Sequence, residues 1–461
     1  MTDEHGVPAP STSWLHDLLR RAVDVKPGEV SMTLMSFAYF FFVMSGYFVL
    51  RPIRDSVGAA SGARDLPWLF TGTLAVTLLF NPLFSALVVK YPVRRFIPIT
   101  YQFFIANLLA FYALLHFASP GENSAMDIWV GRAFFVWTTA FVLFVVSIFW
   151  CFMADVFASE QAKRLFGFIG VGGTLGSIVG SSVTALLASR IGAVNLLLVS
   201  AVLLEIAVLI VTRFPRQMQR SRATEDPDVA IGGSVWAGVT SIVRSPYLLG
   251  IALFLILFTI GSTFLYFQQS EIVGRSYTDR AARTTVLAQL ELAAQVLTIL
   301  TQVFFTGRVI RWIGLAATLA ILPVISMLGF GLLGTVPVFA TLAIFTVLRR
   351  ATNFSLTNPA MEVLFTVVPR EDKYKAKNFI ETFVYRGGDQ IGSWTYAGLT
   401  AIGLGLAGVA FAAVPVSLLM LALGLWLGHR QGAIAAGEAT ERDGFSWLRA
   451  RTRTPGALKL D

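Results

Sequence analysis

The chain has 461 residues, of which 55% are hydrophobic and 14% charged, with a formal net charge of +9. A soluble domain carries about 25% charged residues, so this composition excludes a water-soluble globular protein and calls for a bilayer as solvent. Four histidines and a single cysteine, Cys151, exclude an internal disulfide and offer no metal-ligand cluster.

The chain opens on a polar, mixed stretch from Met1 to Pro27, unlike a cleavable signal peptide. Trp14, Leu15, Leu18, Leu19, Ala22 and Val23 fall there at helical spacing. They predict a short helix, either interfacial on the cytoplasmic face or packed on the protein itself. Apolar blocks of about 20 residues follow, the length a helix needs to cross roughly 30 Å of hydrocarbon. Six lie at 31–50, 67–89, 97–117, 129–153, 165–188 and 192–211. A polar linker at 212–246 separates them from six more, at 247–268, 286–306, 312–334, 338–357, 378–402 and 404–428. Short alternating segments are missing, so the spans read as helices and not as a barrel. The expected layout is an N-terminal segment at 1–30, six-helix bundles at 31–211 and 247–428 joined by the linker, and a tail at 429–461.

With the N-terminus placed in the cytoplasm, 27 of the 36 lysines and arginines fall in or beside inner segments. That bias predicts both termini inside a bacterial inner membrane. The positive net charge then reflects topology, and nucleic acid is not an expected partner.

Weak internal matches point to a duplication. Asp55-Ser-Val-Gly58 corresponds to Glu271-Ile-Val-Gly274 at an offset of 216, Ala162-Lys163 to Ala376-Lys377 at 214, and Gly172-Gly173 to Gly387-Gly388 at 215. Together they pair spans 1 and 7 and spans 5 and 11. The expected fold is therefore all-α, twelve transmembrane helices in two six-helix pseudo-repeats. This is the major facilitator arrangement, with a site near the midplane between the halves. The glycines of span 5, at 167, 170, 172, 173, 176 and 180, predict close helix packing. A phosphate loop is the competing reading, but it lacks a Walker lysine and a preceding strand.

Charged groups near a bilayer centre cost about 2.5–3.5 kcal/mol each, so they should pair or face a wet cavity. Arg386 sits in span 11 with Asp389 and Gln390 on its helical face; it is either a paired structural group or an anion contact. Arg349 and Arg350 lie inside span 10, and as neighbours on a helix they diverge, so one is expected to face the cavity and lipid phosphate is the alternative. Arg51-Pro-Ile-Arg54-Asp55 is expected to close span 1, with Pro52 kinking it. Gln268, Gln269 and Glu271 stand in the corresponding region of span 7, able to read polar groups or hold an outer gate. Glu205 and Glu291 are isolated acids, each either a carrier of a coupling proton or a partner for an intramembrane arginine. Asp155, Glu160, Lys163 and Arg164 read as a cytoplasmic cluster that locks or unlocks the halves. Arginine's planar fork suits carboxylate and phosphate, so a small anion is the expected substrate.

At Leu50-Arg51-Pro-Ile-Arg54-Asp55, at Phe149-Trp150-Cys-Phe152 with Glu160-Gln-Ala-Lys-Arg-Leu-Phe166, and at Pro369-Arg-Glu-Asp-Lys-Tyr-Lys-Ala-Lys-Asn-Phe-Ile-Glu381, the chain resembles the ATP:ADP antiporter family. The resemblance covers most of the membrane region and implies a divergent bacterial nucleotide transporter. It places Arg54 at the family's functional span-1 lysine, Lys377 at its span-11 lysine and Glu271 at an acid ending span 7. The family's acid near the start of span 4 falls at Thr138 here, which is a departure.

Three readings follow. The first is a secondary transporter exchanging or importing ATP, ADP or another phosphorylated anion by alternating access. The second is a proton-coupled facilitator for a different solute, acting through Glu205 or Glu291. The third is a membrane scaffold that transports nothing, weakened by the shortness of the linker and tail. No nucleophile–base or metal set marks an enzyme, no cofactor is expected, and a monomer is the expected state.

Overall fold

The computed structural model describes residue 26 and residues 29–90, 93–118, 124–157, 159–214, 242–368, 376–377 and 379–437. Side chains at 62–64, 80–90, 93–95, 118, 154–155, 159–160, 162–163, 303, 306–307 and 381–382 fall outside the description. The helix expected at 14–23, most of the linker and the tail beyond 437 therefore lie outside the described residues.

Among the described residues every regular element is a helix. In the first half these are α1 (Val30–Lys90), α2 (Val93–Ala113, continued by a π turn at Leu114–Ala118), α3 (Ala125–Val156), α4 (Ser159–Ile191) and α5 (Leu196–Thr212). The second half holds α6 (Pro246–Ser276), α7 (Arg280–Phe304), α8 (Thr306–Thr335), α9 (Phe339–Thr352), α10 (Asn358–Leu364), α11 (Tyr385–Ala401) and α12 (Leu406–Ala435). Among the described residues eight stretches are long and apolar enough to cross a membrane, and Asp65–Leu79 and Leu196–Thr212 are shorter apolar helices. The other two positions of the twelve-span reading are filled by interrupted helices. One is α9 and α10 joined by a π turn at Asn353–Thr357, the other α11 preceded by a π turn at Ile380–Val384.

Helix α1 contains both of the first two expected spans, and contacts along α3 show where it doubles back. Arg54 reaches Thr139, and Gly58 lies against Phe135; after the reversal Asp65 meets Arg132, and Gly72 lies against Val136. The first apolar stretch runs to Ser61, so Arg51–Asp55 does not close span 1 as expected. The helix also continues through Pro52. The charges can lie inside the span because Asp55 neutralises Arg54 and Glu291 neutralises Arg51 within the bundle.

The glycines of α4 have the packing role their spacing suggested. A Cβ on Gly172 would stand 2.6 Å from the Phe37 carbonyl oxygen, and one on Gly176 or Gly180 would overlap the carbonyls of Phe41 or Ser45. Backbone thus meets backbone along α1 and α4. Helix α11 repeats the device on α6, where a Cβ on Gly392 would lie 3.0 Å from Ile260 Cα. Hydroxyls add to the contacts on α1: Thr184 of α4 donates to the Val49 carbonyl at 3.2 Å and Ser200 of α5 to that of Gly46 at 2.9 Å.

One apolar core belongs to the first half and is strongly aromatic, with Phe40 stacked on Phe149 at 4.2 Å. Another belongs to the second half, around Phe254, Leu319 and Leu364. A third is shared, bringing Leu66, Leu69 and Phe135 onto Phe264, Phe267 and Val273. The halves are therefore packed together at the end where α1 reverses.

Candidate functional site

Helix α6 begins at Pro246 behind Ser245, whose hydroxyl accepts from the Leu248 N–H at 3.3 Å. From that start, 3.6-residue periodicity puts Ser262, Tyr266 and Gln269 on one face. This polar stripe faces a cavity of about 320 Å³ between the halves, into which Arg51, Arg54, Arg349, Arg350 and Arg386 all reach.

Four of these arginines have carboxylate partners. Arg54 Nη2 lies 2.6 Å from Asp55 Oδ1, which also accepts from the Tyr266 hydroxyl at 3.2 Å. Glu291, with its side chain 3% exposed, bridges the halves by accepting from Arg51 at 3.1 Å and from Arg350. Arg386 lies 3.5 Å from Asp389, and Asp389 accepts from Thr263 at 3.4 Å. Arg349 differs. Its three nitrogens donate to the Ser326 hydroxyl at 3.1 Å, the Ser262 hydroxyl at 2.9 Å and the Phe258 carbonyl at 3.1 Å, all neutral acceptors. Its guanidinium also lies 5.1 Å from the Phe258 ring centre. Five arginines against Asp55, Glu291 and Asp389 leave the cluster with an excess of positive charge. The hydroxyls of Thr73 and Thr346 in the wall have no hydrogen-bond partner within the protein.

A second cavity of about 520 Å³ shares Phe258, Asn353, Phe354 and Tyr385 with the first and extends along α10 to Glu362 and Phe365. The π turn shapes the junction. Pro359 has no N–H to return to the preceding turn, and the Phe354 carbonyl instead accepts from Gln302 Nε2 of α7 at 3.0 Å.

The structure brings together Arg51, Arg54, Arg349, Arg350, Arg386 and Asp389 on the wall of the first cavity, with Glu291 directly behind it. Both Arg349 and Arg350 reach it, where only one was expected. They diverge as adjacent helical residues must, but one turns to α6 and α8 and the other to α7, and the cavity lies between. Other expected residues stand elsewhere. Gln268 is fully buried and donates to the Leu406 carbonyl at 3.1 Å. Glu271 pairs with Arg275 and accepts from Tyr396 at 3.3 Å. Lys377 lies 2.8 Å from Glu362, beside the second cavity. Glu205 accepts from Gln102 at 2.7 Å and has no arginine partner among the described residues. Arg164 lies 3.0 Å from Glu29, at the foot of α1. Asp155 and Lys163 sit on α3 and α4, their side chains outside the described residues.

Of the uncharged wall, sequence reasoning singled out Gln269 and missed Tyr47, Thr139, Ser262, Tyr266 and Tyr385. The i, i+4, i+7 spacing of Ser262, Tyr266 and Gln269 was the available signal.

Comparison with known proteins places this geometry. No family model matches the chain. The ADP,ATP carrier protein 1 of Chlamydia muridarum is 21% identical, the match covering 81% of this chain and 83% of that one. The protein of the same name from Chlamydia trachomatis serovar D gives the same figures. The resemblance to the ATP:ADP antiporter family is thus borne out over four-fifths of the chain, at the distance of a divergent relative. Among solved structures, a bacterial homologue of the iron transporter ferroportin in its inward-facing state aligns with a TM-score of 0.59 at 13% identity, covering 88% of this chain and 99% of that one. The E. coli xylose transporter XylE, inward open, gives 0.57 at 13%, covering 86% and 95%. The nucleoside transporter NupG gives 0.52 at 14%, covering 89% and 99%. The fold is that of the major facilitator transporters, as the repeat pattern indicated, and the similar proteins are carriers and transporters, not enzymes.

Proposed function

We propose that this divergent relative of the ADP,ATP carriers is a secondary transporter for a phosphorylated anion, with ADP and ATP the first candidates because its relatives are named for them. The observation that carries the reading is Arg349: a guanidinium 4% exposed and held only by neutral acceptors at the cavity wall. A buried charge without a counter-charge is costly, and an anion entering the cavity would supply one. Phosphate oxygens match the arginine fork in shape as well as charge.

The mechanism follows from Glu291. Its carboxylate occupies Arg51 of one half and Arg350 of the other. A phosphate group would compete for the same guanidinium nitrogens and so weaken a bond that joins the halves. Substrate binding would thereby be coupled to their relative movement, as alternating access requires. If the basic segments face the cytoplasm, the end packed around Leu66 and Phe267 faces outward. Held between two arginines, Glu291 suits this bridging role better than that of a proton carrier.

Thermal unfolding of the purified protein with ATP, ADP, inorganic phosphate, a sugar phosphate and a dicarboxylate tests the reading, because a ligand of the folded state raises stability by mass action. A phosphorylated ligand should stabilise the parent and bind Arg349→Ala at least tenfold more weakly. Stabilisation by none of the phosphorylated compounds, or equal binding by the variant, would overturn it.

A further inference from the structure

A cavity of about 770 Å³ lies outside the bundle centre, between the second arm of α1, α2 and α3. Its rim residues Trp68, Phe103 and Trp129 are 65%, 57% and 66% exposed, so in a membrane it opens to lipid. The wall changes character with depth along α3. Arg132 comes first, ion-paired with Asp65 and lying 4.9 Å from the Trp129 ring centre; both charged side chains remain partly exposed, at 28% and 37%. Trp137 follows, about 7.5 Å deeper at 1.5 Å per residue, and its buried indole N–H finds no acceptor in the protein. Below it Phe104, Ala140 and Phe144 make the wall wholly apolar.

This order matches a glycerophospholipid: charged headgroup at the rim, then hydrocarbon. The length matches too. The midpoint of α3, Ala125–Val156, falls near residue 140. A hydrocarbon layer of about 30 Å centred there places Arg132 near one edge and Phe144 just past the middle. The groove therefore covers one leaflet. Arg132 and Asp65 present both signs of charge, which fits a headgroup carrying a phosphate and an amine, whereas an anionic headgroup would meet Asp65 unfavourably.

We propose that this groove is a specific seat for one zwitterionic, amine-bearing phospholipid, with phosphate on Arg132, amine on Asp65 and an acyl chain along Trp137, Phe104, Ala140 and Phe144. The seat is independent of the central cavity and of the substrate reading.

Native mass spectrometry of the delipidated full chain, re-exposed to equal amounts of phosphatidylethanolamine, phosphatidylglycerol and diacylglycerol, is the test. Phosphatidylethanolamine should be retained preferentially, with at least tenfold lower retention in Asp65→Asn and Arg132→Gln. Ala140→Phe, which fills the apolar depth without touching the ion pair, should lower retention of the same lipid to a similar extent, and it decides the matter if the charge variants do not fold. Equal retention of all three lipids, preference for phosphatidylglycerol, unchanged retention in Ala140→Phe, or a lipid-free dimer would each overturn the proposal.

Discussion

Helix α3 in the first half runs 32 residues from Ala125 to Val156 without interruption. Its counterpart in the second half, from Phe339 to Leu364, breaks into a π turn at Asn353 and restarts at Asn358. The same contrast extends to charge. In the first half Arg54 sits against Asp55 and Arg51 against Glu291, whereas in the second Arg349 has only neutral partners. Even α8 is irregular, bending at Gly314 with φ of 79°. The first half thus presents an unbroken α3 to the cavity, its arginines neutralised by Asp55 and by Glu291 of the other half. The second half carries the interruption at the cavity wall and the one cavity arginine with only neutral partners, features that concentrate at functional sites.

The largest effect expected from breaking this comparison is at the seams. Gly176→Leu would drive a side chain into the α1 backbone, and folded, monodisperse protein should be lost in size-exclusion chromatography. Gly392→Ala, with less overlap on the second-half seam, should cost about 1–3 kcal/mol and still yield folded protein. The arginines should then give opposite signs in unfolding experiments without ligand. Arg54→Gln leaves Asp55 buried with a weakened partner set and should destabilise by about 3–5 kcal/mol. Arg349→Met removes an uncompensated charge at similar volume and should stabilise the empty protein by about 1–4 kcal/mol. Destabilisation by both would mean that Arg349 is a structural group like its neighbours. A smaller effect concerns the π turn. Gln302→Ala should cost about 1 kcal/mol in the parent and nearly nothing in a Pro359→Ala background, where the backbone N–H returns. Simple additivity in that double-mutant cycle would remove the proline account.

The smallest effect is at the foot of α1. Burial alone would raise the pKa of Glu29, but hydrogen bonds from Gln161, Arg164 and the Lys26 N–H outweigh it and hold the carboxyl below its ordinary value of 4.5. A depressed folded-state pKa contributes stability above the unfolded value and loses it as pH falls. The parent should therefore be slightly more stable than Glu29→Gln at pH 7, and the two should converge as pH drops below 4.5.

The helical class, the duplication and the glycine seams were legible because each rests on local pattern: apolar length, repeat offset, small residues at helical spacing. Arg386 with Asp389 was legible for the same reason, being an i, i+3 pair on one helix. For Glu291 the sequence offered an arginine partner but not which one, since Arg51 lies 240 residues away and no spacing rule connects them. Nor was the length of the first apolar stretch legible, where a charged Arg51–Asp55 looked like a rim while its neutralising partners were out of sight. Gln268 misled in a different way: as a polar residue in a span it suggested a cavity, and it is instead buried and donates to the carbonyl of Leu406 at the start of α12.

Helix α7 has a spacing with mechanical meaning. Arg280 pairs with Asp127 of the first half at the closed end, Glu291 bridges the arginine cluster, and Gln302 holds the π-turn carbonyl. These positions are eleven residues apart, which is about three helical turns, so all three stations lie along one side of the rod within about 40°. A rod with three fixed attachments transmits a tilt to all of them at once. In the proposed transport cycle, the contact where the halves are packed together, occupancy at the centre and the shape of the turn below it would then change in step, like marks on a single ruler.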